Sequence, residues 1–450
     1  MRVFNKHYVL PAIIFFVTGC GASGNDTSSS SIAAASSSET PSTTMSSSVS
    51  SPSVVTSISY SSSSTPATTE NSTTHCNVPV LKSFADLTPI AALPDPFVSI
   101  NGTHLTQKQE WPCRRAEIAA QVQHYELGTK PAAPQQVSGT ISNEKITVVV
   151  KENGKEISFD ATVILPATGT APYPAIIGIG NSFLNNQELS KQGIAVIQFP
   201  NNIIGEQQNG QSRGKGKFYE VYGNDHTASA MIAWSWGVSR LIDVLQTSNN
   251  TLINANRLGV TGCSRNGKGA LVAGAFDERI ALTIMQESGS GGAASWRISD
   301  AQLASGQNVQ TLRQIVTENV WFTYQFKIFS EAANKLPFDH HGVMGLIAPR
   351  GLLVIENTSM EWLGNQSTYI TSVVAHEIWK ALGASDNMGV SQIGGHNHCQ
   401  LSASQQPEVN AFVQKFLLNN TDADTNVQKT DGTFPIELSR WVNWTTPALH

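Results

Sequence analysis

The sequence predicts an α/β fold in which a mostly parallel sheet is covered by helices on both faces, a three-layer αβα arrangement. Three observations carry this. Short apolar runs at 175–179, 194–199, 257–261, 280–285, 350–355 and 388–393 alternate with helix-like segments, the pattern of a parallel sheet buried on both sides. One run leads into Gly262-Cys263-Ser264-Arg265-Asn266-Gly267-Lys268-Gly269, where small residues surround one serine and a helix-like segment follows. Residues able to do chemistry end several of the runs, and in open parallel sheets ligands bind beyond the carboxyl ends of the strands.

A chain of 450 residues with 40% hydrophobic content can bury one large core or two smaller ones, and its net charge of −5 makes no electrostatic case for nucleic acid. Residues 1–20 read as an export signal. Arg2 and Lys6 precede an apolar stretch at 8–17 that is too short to span a bilayer, and the segment closes with Val17-Thr18-Gly19-Cys20. That ending resembles a bacterial lipobox, which makes Cys20 the lipidated first residue of a cell-surface lipoprotein held to a membrane, the bacterial outer membrane; a cleaved secretory signal is the alternative. Residues 21–75 are mostly Ser and Thr, with no Lys or Arg between Ser23 and Thr74. Such a segment builds no core and reads as a flexible tether, compatible with a glycosylated stalk. Residues 76–450 form the folded domain.

Taken in order, Cys76 opens this domain and Trp111-Pro112-Cys113-Arg114-Arg115 precedes a helix-like stretch at 116–127, ended by Gly128 and Pro131. In an exported chain, a structural disulfide between Cys76 and Cys113 is expected. Runs at 145–150 and 157–165 alternate or are β-branched and flank Asn153-Gly154, a hairpin signature. Residues 228–245 read as a packed helix and 269–276 as another. The run at 280–285 delivers Gln286-Glu287-Ser288-Gly289, that at 350–355 delivers Glu356-Asn357, and that at 388–393 delivers Gly394-Gly395-His396-Asn397-His398-Cys399.

The stretch around Ser264 has the layout of a nucleophile elbow, although Asn266 stands where G-x-S-x-G has its second glycine. A phosphate-cradling loop is the rival, but the P-loop pattern fails because Gly269 follows Lys268. The chain order Ser, acid, His is that of the α/β-hydrolase fold. A serine hydroxyl needs a histidine to take its proton, and that histidine needs a carboxylate to orient it and stabilise its cation. The backbone N–H of Arg265, following the nucleophile, suits the developing oxyanion. Cys263 and Cys399 flank Ser264 and His398, so a Cys263–Cys399 disulfide would bring the two together. That favours His398 over His396 as base. A metal cluster at His396, His398 and Cys399 lacks further ligands at suitable spacing.

Gly262-Cys263-Ser264-Arg265-Asn266-Gly267-Lys268-Gly269 resembles the G-C-S-R-x-G-K signature of the glucuronoyl esterases, carbohydrate esterase family 15. The similarity extends through Arg114 to Ile118, Tyr222-Gly223, Ala233 to Gly237, Leu336 to His341, Ala348 to Gly351 and His398-Cys399. The resemblance implies an α/β-hydrolase that cleaves esters between 4-O-methyl-glucuronic acid on glucuronoxylan and lignin alcohols. It implies Ser264 as nucleophile, His398 as base, Glu287 as acid and Arg265 at the oxyanion hole, with Lys268, Gln310, Glu318 and Trp362 holding the sugar. It calls for no metal and no cofactor, and a monomer is expected. The acid divides two arguments, because most α/β-hydrolases place it after the strand that here ends at Glu356. Alternatives of other kinds are an acetyl or feruloyl xylan esterase and a catalytically silent carbohydrate-binding protein.

Overall fold

The computed structural model describes residues 76–450. The export signal, Cys20 and the Ser/Thr-rich segment lie outside the described residues. In chain order the elements that build the site are α1 (Trp111–Val122), β1 (Gln136–Ile141), β2 (Lys145–Glu152), β3 (Lys155–Ile164), β4 (Tyr173–Ile179), α2 (Asn186–Lys191), β5 (Ala195–Phe199), α3 (Ala230–Thr247), β6 (Ile253–Cys263) and α4 (Arg265–Phe276). They continue with β7 (Ile280–Gln286), α5 (Leu312–Glu318), β8 (Gly351–Glu356), α6 (Asn365–Ala381), β9 (Met388–Gln392), α7 (Gln406–Leu417) and β10 (Gln428–Thr430).

The ten strands make one sheet in the order β1-β2-β3-β5-β4-β6-β7-β8-β9-β10. The edge β1-β2-β3 is antiparallel, as is β3 against β5, and every pairing from β5 through β4 to β10 is parallel. Side-chain alternation sorts the central strands onto two cores. Leu352 and Val354 of β8 pack into the core that holds Trp234 and Leu241 of α3, Leu271 of α4 and Trp379 of α6. Leu353 and Ile355 pack with Leu189 of α2 and Val409, Phe412 and Leu417 of α7. A strand buried on both sides reads as a near-continuous apolar run, and β8 is buried throughout and apolar up to its terminal Glu356. The helices on its two faces complete the three layers.

Where the structure departs from the sequence reading, the reasons are local. α1 begins at Trp111, earlier than 116, because Pro112 in a first helical turn forfeits no helical hydrogen bond; the residues that follow it, Gln123–Leu127, widen into a π-helical turn before Gly128. β1 and β10 were not foreseen. β1 lies at the sheet edge, and β10 is three polar residues joined to β9 by backbone pairing, which leaves no hydrophobic signature. α4 starts at Arg265; Gly267 and Gly269 lower its helix propensity, yet both face close neighbours, with Gly269 against the Trp234 ring. The Cys76–Cys113 disulfide, Cα–Cα 5.0 Å, ties the start of the described chain to the first turn of α1. Among the described residues no helix is long and apolar enough to cross a membrane.

Candidate active site

Ser264 sits on the turn between β6 and α4 with φ 59° and ψ −128°, a conformation that non-glycine residues seldom adopt and that cooperative surroundings must hold. Its N–H donates to the Gln286 carbonyl on β7 at 2.9 Å, and its carbonyl accepts from Lys268 N at 3.1 Å. A Cβ on Gly262 would lie 2.3 Å from the Asn266 carbonyl oxygen, and one on Gly267 would lie 2.6 Å from that of Gln286. The second glycine is therefore required at 267. Position 266 is free to carry a side chain, and Asn266 Oδ1 accepts from Asn201 Nδ2 at 3.1 Å, pinning α4 to the segment after β5. Arg265, exposed, opens α4, so its backbone N–H belongs to a helix N-terminus with no intrahelical partner, where negative charge is favoured.

Beyond β7, Glu287 has φ 45° and its N–H donates to the Ile355 carbonyl at 2.6 Å. Its carboxylate is fully buried; Oε2 accepts from His398 Nδ1 at 2.7 Å and from Asn357 Nδ2 at 3.4 Å. With Nδ1–H donated to Glu287, the neutral His398 ring keeps Nε2 as its basic atom. His396 also faces this carboxylate, its Nδ1 3.8 Å from Oε1. However, its Nε2 is bonded to the Ile393 carbonyl at 2.8 Å and its Nδ1 lies 3.2 Å from Asn357 Nδ2, so this ring is committed to the loop. The Cys263–Cys399 disulfide, Cα–Cα 5.6 Å, joins the residue before Ser264 to the residue after His398. A His398 ring nitrogen lies within 4.8 Å of both sulfurs. Both sulfurs are held in that bond, so neither is a thiolate for a metal.

Glu356 takes a different position. Its Oε1 accepts from Ser288 N at 2.9 Å, Ser288 Oγ at 3.0 Å and Gly289 N at 3.4 Å, holding the turn that carries Glu287. Burial, followed by the charge of Glu287 and against the pull of these donors, pushes its carboxyl up to about 8. Sequence reasoning raised Glu356 as an acid and missed it as a support, and it missed Asn357. The only available signal was that both stand at the end of the strand beside the one that ends before Glu287.

Of the residues expected to hold the sugar, Lys268 is buried at 3% exposure, with Nζ donating to the Ser288 carbonyl at 2.6 Å and lying 5.7 Å from the centre of the Trp321 ring. Burial lowers its ammonium to about 8, opposed by the charges of Glu356 and Glu318. Gln310 Nε2 donates to Glu318 Oε2 at 2.7 Å, and Gln310 N to the Trp362 carbonyl at 3.0 Å. Trp362 is 42% exposed and meets the His398 ring edge-on, with centroids 5.6 Å apart. Gln310, Glu318 and Trp362 line one cavity of about 630 Å³ together with Asn308, Arg313, Gln314 and Thr317. The sequence reading did not name those last four, because exposed helix residues that line a groove and those that do not read alike in sequence.

The parallel sheet and the serine raised at the end of β6 place this chain among the α/β-hydrolases. A family model for fungal glucuronyl esterases matches residues 148–383. The 4-O-methyl-glucuronoyl methylesterase of Podospora anserina is 49% identical over 367 residues, 81% of this chain and 76% of that protein. The glucuronoyl esterase catalytic domain from Hypocrea jecorina superposes with a TM-score of 0.79 at 47% identity, covering 83% of this chain and 100% of that one. A serine-to-alanine mutant of the Sporotrichum thermophile glucuronoyl esterase, solved with methyl 4-O-methyl-β-D-glucopyranuronate, matches with a TM-score of 0.77 at 44% identity over 81% of this chain and 97% of that one. The chain belongs to the glucuronoyl esterase family.

Proposed function

We propose that this chain is a serine esterase that hydrolyses the ester between 4-O-methyl-glucuronic acid of glucuronoxylan and an alcohol of lignin. Ser264 Oγ attacks the uronate carbonyl while His398 Nε2 takes its proton, and Glu287 stabilises the imidazolium. The oxyanion forms beside the Arg265 N–H and the α4 N-terminus. Collapse expels the alcohol, which takes the proton from His398 and leaves a glucuronoyl ester on Ser264; water, deprotonated by the same histidine, then releases the acid. Lys268, Gln310 and Glu318 hydrogen-bond the sugar and Trp362 covers a face of it. No step uses a metal or a cofactor.

The observation that carries this reading is the 2.7 Å bond from His398 to buried Glu287, one strand-end away from Ser264, in a chain of this family. The test compares release rates from methyl 4-O-methyl-glucuronate and from acetylated and feruloylated xylan. Faster turnover of either xylan ester would move the activity to another acid.

The enzyme is exported, since its two disulfides belong to an oxidising compartment. The fungal description of its family model favours a cleaved secretory signal over a lipid on Cys20. The mass of the mature N-terminal peptide decides between them. It acts as a monomer, which light scattering checks.

A further inference from the structure

A buried ion pair that the catalytic steps do not use meets the turn that carries Glu287. His340 opens the short helix His340–Gly345, where its N–H donates to Asp339 Oδ1 at 2.8 Å and Asp339 is itself paired with Arg297 at 2.8 Å. Its ring is held at both nitrogens: Nδ1 donates to the Gly292 carbonyl at 2.8 Å and Nε2 to Glu126 Oε1 at 3.1 Å, while Glu126 Oε2 accepts from Trp296 Nε1 at 3.2 Å. His340 and Glu126 are both buried. A carbonyl and a carboxylate only accept, so a ring that faces both carries both of its protons and is an imidazolium. Burial opposes that cation, but the charge and hydrogen bond of Glu126, the charge of Asp339 and the Gly292 carbonyl hold it above the ordinary histidine value. His341, next in the chain and equally buried, gives one ring nitrogen to the Pro94 carbonyl, and burial drops it to about 4.

Gly292 is the far end of the acid's turn. Gly292 N and Ala294 N both donate to the Gly289 carbonyl, at 2.9 and 3.0 Å, and Ala293 N donates to Ser288 Oγ at 2.9 Å. A Cβ on Gly292 would lie 2.5 Å from that of Ser288, so Gly292 packs directly on the residue that follows Glu287. Glu356 grips the near end of the turn through Ser288 and Gly289; His340 grips the far end through Gly292. Glu287 itself has φ 45°, a conformation that a non-glycine residue keeps only when its surroundings over-determine it. We infer that His340 is a positioning residue for the acid: through its bond to the Gly292 carbonyl it fixes the turn 287–292 and so the aim of Glu287 at His398. The inference rests on the reading of Glu287 as the acid. Glu126 serves it by holding the opposite ring nitrogen, which stops the imidazole from swinging away from Gly292.

Two amides separate the bond from the bulk of the side chain. An asparagine amide reaches where Nδ1 stands and a glutamine amide where Nε2 stands, so His340→Asn keeps the Gly292 bond and drops Glu126, whereas His340→Gln keeps Glu126 and drops Gly292. The kcat and KM on methyl 4-O-methyl-glucuronate are measured well below each variant's melting temperature, which is recorded beside them. His340→Asn strands a buried carboxylate and should melt lower, yet keep kcat within about threefold. His340→Gln should melt higher but lose kcat by roughly 10–100-fold, the scale of a small misplacement of a reacting group, with KM moved by less than about threefold. Glu126→Gln can donate to Nε2 of a neutral ring and accept from Trp296, so it keeps every bond of the cluster and should keep kcat. Glu126→Gln/His340→Gln pairs amide with amide, and it carries the test, with the same expected loss, where the single glutamine variant does not fold. A kcat that follows melting temperature across the series, or wild-type kcat in His340→Gln, overturns the inference. A folded Glu126→Gln that loses kcat as His340→Gln does would put the effect on the charge rather than the bond and overturns it as well. Glu287→Gln in the same assay separates the two readings. If it keeps wild-type kcat, the acid reading fails and the positioning role with it; if it is inactive while His340→Gln is not, only the positioning role fails.

Discussion

Glu287 and Glu356 are both buried glutamates at adjacent strand ends, and their partners separate their roles. Glu287 meets an imidazole at 2.7 Å, whereas Glu356 meets backbone and hydroxyl donors. If Glu287 is the acid, as proposed, Glu287→Gln removes the charge beside the His398 ring and should lower kcat by about 10³–10⁴-fold with little change in melting temperature. Glu356→Gln keeps an acceptor oxygen for Ser288 and Gly289 and should retain most turnover, whereas Glu356→Leu should lose it as the Glu287 turn loosens; inactive, folded Glu356→Gln would make Glu356 the acid instead. The pH dependence of stability gives a separate reading. Glu356 rises from 4.5 to about 8 on folding, so between those values the folded state holds a proton that the unfolded state has lost. Its contribution is fully present below about 4.5 and is lost as pH rises through about 8. Melting temperature should therefore fall less steeply across that interval in Glu356→Gln than in wild type, and identical slopes would refute the assignment. The two histidines offer a matching contrast. His398→Ala should abolish turnover, whereas His396→Ala should chiefly cost stability, about 1–3 kcal/mol for the buried partners it abandons.

Strands and helices differ in how much of themselves they announce. β4 and β6 to β9 were legible because burial on both faces demands continuous apolar runs, and the hairpin of β2 and β3 because alternation and Asn153-Gly154 agree. β10 was not, since backbone pairing carries it. The elbow was legible as a pattern. Why Asn occupies position 266 was not, because the Gly267 contact with the Gln286 carbonyl and the Asn201 bond exist only once β5, β6 and β7 are side by side. At this scale the Cys263–Cys399 disulfide joins the end of β6 to the loop after β9 across two intervening strands. A Cys263→Ala/Cys399→Ala variant should lose about 2–5 kcal/mol of stability. It should also lose kcat at temperatures well below its melting point, because His398 is then held only by Glu287, the edge contact with Trp362 and its own loop. A variant that melts earlier but turns over normally would reduce the bridge to a stability element.

For the molecule as a whole, every residue that the proposed mechanism uses comes from the described residues: Ser264, Glu287 and His398 beyond the ends of β6, β7 and β9, with Lys268, Gln310, Glu318 and Trp362 proposed to hold the sugar. Both disulfides also close within them, and a solved catalytic domain corresponds to 83% of the chain. The Ser/Thr-rich composition ends just before Cys76, where the described residues begin. The composition alone set this limit, since a segment without large apolar groups has nothing to contribute to a core. A chain beginning at Ser72 should therefore keep the melting temperature of the 450-residue chain and its kcat/KM on soluble glucuronate esters, within about twofold, which is under 0.5 kcal/mol. If residues 21–71 act as a tether or stalk, their removal should show only in where the enzyme resides or in its action on insoluble plant cell wall. A lowered kcat/KM on the small ester would mean that the N-terminal segment contributes to the site and would end the tether reading.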